Sequence, residues 1–205
     1  MPVEIENSEI QNFLAPLVRV FRNLETIKQY LEEINLIIRQ EAEKDFDEIY
    51  QLVTEAFKTA AHSDGNEQDI VAALRKGKDL VPKLSLVAEI EGKLAGHIMF
   101  SKAKVGEDTV LVLAPLSVIP EYQKIGVGTA LVKEGHRIAK ELGYWHVLVL
   151  GSDSYYQRFG YRPAEQFGVV VPEGIPSDNF MAIKLQEDVK QISGKVAFAK
   201  EFGMG

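Results

Sequence analysis

Gln123, Gly126 and Gly128 lie in the stretch VIPEYQKIGVGTALVKEGHRIAKELGY, Val118 to Tyr144, and their types and spacing suit the binding of an anion. Glycine has no Cβ, so Gly126 and Gly128 permit positive φ and let a ligand come close to the main chain. Behind them the pattern turns helical. The N–H groups of Ile125, Gly126, Val127, Gly128, Thr129 and Ala130 then point out of a helix N-terminus, where the dipole favours negative charge. A hydrogen bond to a charged group contributes about 1.5–3 kcal/mol, so several together hold a diphosphate. A tight turn with no ligand explains the same glycines. Neither standard nucleotide loop fits. A Walker loop needs Lys and Ser or Thr after its second glycine, where Thr129 and Ala130 stand. A dinucleotide fingerprint needs Gly or Ala where Leu131 stands.

Other residues could move protons. Tyr155 and Tyr156 are adjacent, each a phenol able to give a proton, and at least one of the two reads as packing. Asp153 and Ser154 follow a strand, where Asp153 could touch a ligand or cap the next turn. Among the histidines, His97 falls on a strand, His136 reads as helix surface and His146 as strand packing. They show no metal-ligand spacing, and no metal is expected. There is no G-x-S-x-G elbow. The absence of cysteine excludes a cysteine nucleophile, thiolate metal ligands and disulfides.

These residues need elements to position them. NLIIRQ reads as a first strand, and Phe46, Ile49, Leu52, Val53 and Phe57 form a helical stripe. DIVAALRKG is a second helix, stopping at Gly77. LSLVAEIEGKLAGHIMFSKAKV is a hairpin turning at EGK. TVLVLAPLSV is a strand interrupted by Pro115, which belongs at an edge or a bulge. ALVKEGHRIAKELG is an amphipathic helix ending at Gly143, and WHVLVLG is a buried strand. DSYYQRFG is a short helix or turn, while FGVVVP and NFMAIKL read as two closing strands. The resulting fold class is α/β (α+β), a mixed sheet with helices on both faces.

The ends are read separately. Residues 1–34 form a helical extension, with a capping box at Ser8 and Gln11, either packed on its own domain or serving as a homodimer contact. The main domain covers 35–186, and 187–205 is a polar tail with no assigned place. With 205 residues and 46% apolar content the chain can bury a real core. A net charge of −7 with no dense basic run argues against nucleic acid. No apolar run is long enough to span a bilayer, and the N-terminus lacks signal-peptide character, so a cytoplasmic protein is expected.

VIPEYQKIGVGTAL resembles the acyl-CoA loop of the GNAT superfamily of N-acetyltransferases, Gln/Arg-x-x-Gly-x-Gly/Ala, with Gln123, Gly126 and Gly128 in register. YYQRFGY is similar to that family's Phe-Tyr-x-x-x-Gly-Phe turn, with Tyr156, Gly160 and Tyr161 in register. The resemblance runs from about Ile34 to Leu185 and is nearest to the YhbS-like branch. It implies the GNAT fold, a mostly antiparallel sheet in which the fourth strand bulges at Pro115 and parts from the fifth. Acetyl-CoA is then the co-substrate, with its arm in the gap along Leu116, Ser117 and Val118. Its diphosphate falls on Gln123, Lys124, Ile125, Gly126, Val127, Gly128, Thr129 and Ala130, with Asp153 and Tyr156 nearby. The implied reaction is acetyl transfer to an amine of a small molecule or peptide in a ternary complex. Val118 N–H then faces the carbonyl oxygen and Tyr156 is the acid for the leaving thiolate. The family places its base on the central strands or recruits water, but TVLVLAPLSV holds no acid. Glu55 and His97 are the remaining candidates, with Glu89 and Glu91 on or beside the hairpin. The rival reading is a scaffold that senses acyl-CoA without turning it over.

Overall fold

The computed structural model describes residues 35–58, 63 and 65–203. The helical extension expected before residue 35 lies outside them. Strand β1 (Ile37–Gln40) leads through a 3₁₀ turn into α1 (Phe46–Phe57) and then α2 (Glu67–Lys76). The hairpin β2 (Leu80–Ile90) and β3 (Lys93–Val105) follows, then β4 (Asp108–Val118), α3 (Val127–Glu141) and β5 (His146–Leu150). A single-turn helix α4 (Asp153–Tyr156) precedes the short β6 (Arg162–Pro163) and β7 (Val169–Val170), β8 (Phe180–Lys184) and β9 (Gly194–Ala197).

Local chemistry explains the hairpin. Glu91 and Gly92 have φ of 51° and 79°, the paired positive values of a two-residue turn whose twist matches its strands. The sheet runs β1-β2-β3-β4-β5-β8-β6. Only the β4–β5 step along that path is parallel. The tail expected to lack a place instead supplies β9, which takes the edge of β3 at Lys104 and Val105 beyond the start of β2. β7 is only a two-residue strand and pairs with β9 rather than with a main-sheet neighbour.

Helices cover both faces. α3 buries Val127, Leu131, Val132 and Ala139 against Leu86, Ala88, Ile98, Phe100, Leu111 and Leu113. Gly135 lets α3 come down onto the sheet, because a Cβ there would stand 2.5 Å from the Phe100 ring. On the other face, Ile49, Leu52 and Val53 of α1 and Val71 and Leu74 of α2 pack on Val87, Leu94 and Met99. Burying a side chain such as Leu131 or Leu52 contributes about 1.5–3 kcal/mol. These layers hold the β4–β5 junction between them.

Candidate active site

β4 and β5 pair only at Leu111–Leu113 with Val147–Val149. Beyond them Ala114 and Pro115 form a bulge, since Phe100 faces Leu113 while Ile98 already faces Leu116. Pro115 thus sits at a bulge, as its missing donor requires. The phase of the ladder past the bulge follows from one bond, Ile119 N–H to Ala95 O at 3.1 Å. It makes Val118 and Gly96 a non-hydrogen-bonded pair, so the main-chain groups of Leu116 and Val118 point away from β3, toward the opening beside β5. Ser117 is different. Its main chain pairs with His97, and its buried side chain lies on the α1 face, so its assignment to the arm-binding edge is corrected by the pleat.

The opening leads to the N-terminus of α3. Gln123 donates from Nε2 to Val118 O at 3.0 Å and ties the loop to the strand end. Lys124 has φ 65° and Gly126, the N-cap, has φ 107°. Among the described residues no acceptor takes the amides of Ile125, Gly126, Val127, Gly128 or Thr129. Ala130 N–H already donates to Gly126 O at 2.9 Å, which removes it from the expected set of free donors. The two glycines prove to have separate reasons. Gly126 supplies the left-handed conformation. Gly128 makes room for Tyr155, whose hydroxyl would lie 2.6 Å from a Cβ placed there. Tyr155 was not among the expected cofactor residues, and only its place three-dimensionally beside α3 reveals the contact.

Tyr156 lies behind Tyr155, buried, with ring centroids 5.0 Å apart, and 5.5 Å from the Tyr161 ring. Gly151 is bare because the Tyr156 ring lies across it, 2.7 Å from where a Cβ would be. Burial, and then the neighbouring Tyr155, pushes the Tyr156 phenol well above its usual range, so it stays protonated at neutral pH. Asp153 is the first residue of α4 and accepts only its neighbour's Ser154 N–H at 2.6 Å; the N-cap is Ser152, with no side-chain cap bond, so Asp153 does not cap this turn.

The base candidates are scattered. Glu55 is exposed on α1 and pairs with Lys58 at 3.5 Å. Glu89 pairs with Arg39 at 3.0 Å, and Glu91 forms the hairpin turn. His97 is fully buried, with Nε2 3.2 Å from both Glu41 Oε2 and Ser85 Oγ. Arg75 completes this cluster at 2.8 Å from Glu41. Burial pushes the His97 imidazole down against the pull of Glu41. Burial alone would raise Glu41, but hydrogen bonds from His97 and Arg75 outweigh it and hold the carboxyl at about 2. His136, expected on the helix surface, is instead half-buried and 2.9 Å from the Tyr161 hydroxyl. His146 is buried in β5 as expected. Among the described residues no group of three or more His, Asp or Glu could hold a metal ion. No described helix is long and apolar enough to cross a membrane.

The acetyltransferase (GNAT) family model matches residues 46–161, more than half of the chain. The chain belongs to the GNAT acetyltransferase family. This GNAT chain is 32% identical over 171 residues to the uncharacterized N-acetyltransferase YhbS of Escherichia coli K12, covering 82% of itself and 98% of that protein. It is 39% identical over 127 residues to YjhQ of the same organism, also named an uncharacterized N-acetyltransferase, covering 60% of itself and 70% of YjhQ. Among solved structures, a GNAT acetyltransferase from Brucella melitensis in complex with acetyl-CoA aligns at TM-score 0.68 and 34% identity, over 82% of this chain and 97% of that one. Escherichia coli YhbS in complex with CoA aligns at TM-score 0.73 and 28% identity, over 82% and 92%. The mixed, mostly antiparallel GNAT sheet is thus the fold of this chain.

Proposed function

We propose that this GNAT protein transfers the acetyl group of acetyl-CoA to a primary amine of a small molecule or peptide, by direct attack within a ternary complex. The observation that carries the reading is the continuity between the edge of β4 that has no strand partner, where only Val118 O is taken, by Gln123 Nε2, and the free amides at the start of α3. The main-chain edge of Leu116 and Val118 opens onto the free amides of Ile125 to Thr129. The first suits an extended amide-bearing arm, by strand-like pairing, and the second suits a diphosphate. Two neighbours at similar coverage hold acetyl-CoA or CoA, which supports the same ligand here.

Within that arrangement Val118 N–H donates to the carbonyl oxygen as negative charge grows on it. The amine nitrogen forms the new C–N bond and the C–S bond breaks. Tyr156 donates its O–H to the departing thiolate and takes a proton back from solvent as the thiol forms, which balances the proton the amine gives up. The proton lost by the amine passes to Glu55 or to water, since the one acid of β4, Asp108, lies at the strand end away from the gap and pairs with Lys190. His97 has no exposure and its Nε2 is engaged, which favours a scaffold role over contact with an amine. The net charge of −7 favours a cationic acceptor through long-range attraction.

The test is thiol release from acetyl-CoA across a panel of a polyamine, an aminoglycoside and a peptide N-terminus. Release that depends on both acetyl-CoA and one amine is expected. Tight CoA binding with no release on any amine would favour the acyl-CoA sensor instead.

A further inference from the structure

β5 ends against a residue that the reaction scheme does not use. The last rung of the β5–β8 ladder pairs Leu150 with Phe180, and Gly151 N–H then donates to Asn179 O at 3.0 Å. In a regular antiparallel ladder the return bond would run from Asn179 N–H to Gly151 O. That amide is diverted, because Asn179 N–H donates to Pro176 O at 3.0 Å within the 3₁₀ turn before β8. The Asn179 side chain replaces it, donating from Nδ2 to Gly151 O at 3.0 Å. Both polar groups of Gly151 are therefore held by one residue, on the side away from β4.

This clamp bears on Tyr156. The phenol ring lies over the Gly151 α-carbon, where a Cβ would stand 2.7 Å from Cε2 and 3.3 Å from Cδ2. The helix that carries Tyr156 starts two residues later, and Tyr156 N–H donates to Ser152 O at 3.1 Å. Any rotation of the Gly151 peptide moves both the surface under the ring and the first residue of the turn holding it. A displacement on the scale of 1 Å at a reacting group can cost about 100-fold in rate. We infer that Asn179 is a positioning residue: its side-chain amide fixes the Gly151 peptide and so sets the place of the Tyr156 phenol beside the parted strands. The inference rests on the proposed role of Tyr156 as the acid.

Asn179→Asp keeps the shape but removes the donor and sets a carboxylate against Gly151 O. It is compared with Tyr156→Phe and the double variant, using the panel amine that supports turnover. Asn179→Asp and Tyr156→Phe should each lower kcat about 10- to 100-fold, with CoA affinity within about twofold of the parent. The double variant should be no slower than the slower single one. A parent-like rate for Asn179→Asp beside a slow Tyr156→Phe, or losses that multiply, overturns the inference alone. A parent-like rate for Tyr156→Phe instead overturns the acid reading. Ring-labelled tyrosine NMR of folded Asn179→Asp needs no acceptor: the Tyr156 signals should move, and unmoved signals overturn the inference.

Discussion

Gly128→Ala puts a number on the contact that explains this glycine. The new Cβ would stand 2.6 Å from the Tyr155 hydroxyl, where ordinary contact starts at 3.4 Å, so the hydroxyl must retreat by about 0.8 Å (3.4 − 2.6). Its ring cannot swing freely. The Arg158 guanidinium lies 3.9 Å above it, and the Tyr156 and Phe159 rings lie 5.0 and 5.6 Å away. Overpacking costs about 1–3 kcal/mol. Alanine in place of glycine in a helix returns about 1 kcal/mol. The single variant should therefore be neutral to about 2 kcal/mol less stable. Tyr155→Phe removes the offending atom, and the ring carbon behind it lies at an acceptable 3.7 Å from the Cβ. In that background Gly128→Ala should stabilise by about 1 kcal/mol, raising Tm by about 2–4 °C. Thermal unfolding of the parent, both single variants and the double variant by circular dichroism gives the coupling, expected at about 1–3 kcal/mol. The same shift from Gly128→Ala in both backgrounds would refute the argument.

Further outcomes follow from the same geometry. Gly126→Ala, at φ 107°, should cost about 1–3 kcal/mol of stability through backbone strain, seen as a lower Tm with or without Tyr155. Arg75→Ala strands the buried Glu41 carboxylate and should cost about 3–5 kcal/mol, measured by denaturant titration. Burial holds His97, His136 and His146 neutral, with His136 pushed down to about 4. Below the ordinary histidine pKa the unfolded chain binds more protons than the folded one, so stability should fall as pH drops from about 6.5 toward 4. His136→Gln should flatten that fall, as read from Tm against pH.

The hairpin, α3 and β5 were legible because periodicity and turn chemistry are local. Glu91-Gly92 and Gly143 carry their positive φ in their own types or immediate neighbours. The loop at Gly126 was legible for the same reason. Ser117 was not, because its face depends on how β4 resumes after the bulge at Pro115, which only the partner strand records. His136 was misread because its partner Tyr161 is distant in sequence, and β9 because a polar tail gains its strand only from the free edge of β3. Asn179 and the Tyr155–Gly128 contact depend likewise on elements meeting in space.

The claim beneath all of this is that main-chain amides at the start of α3 grip the diphosphate of CoA. Amide-resolved NMR of ¹⁵N-labelled protein titrated with CoA tests it directly. The account predicts that the largest downfield shifts fall on Ile125 to Thr129, and that a pantetheine lacking phosphate fails to produce them. Saturable CoA binding that leaves those amides unmoved, with the shifts gathered elsewhere, would contradict it.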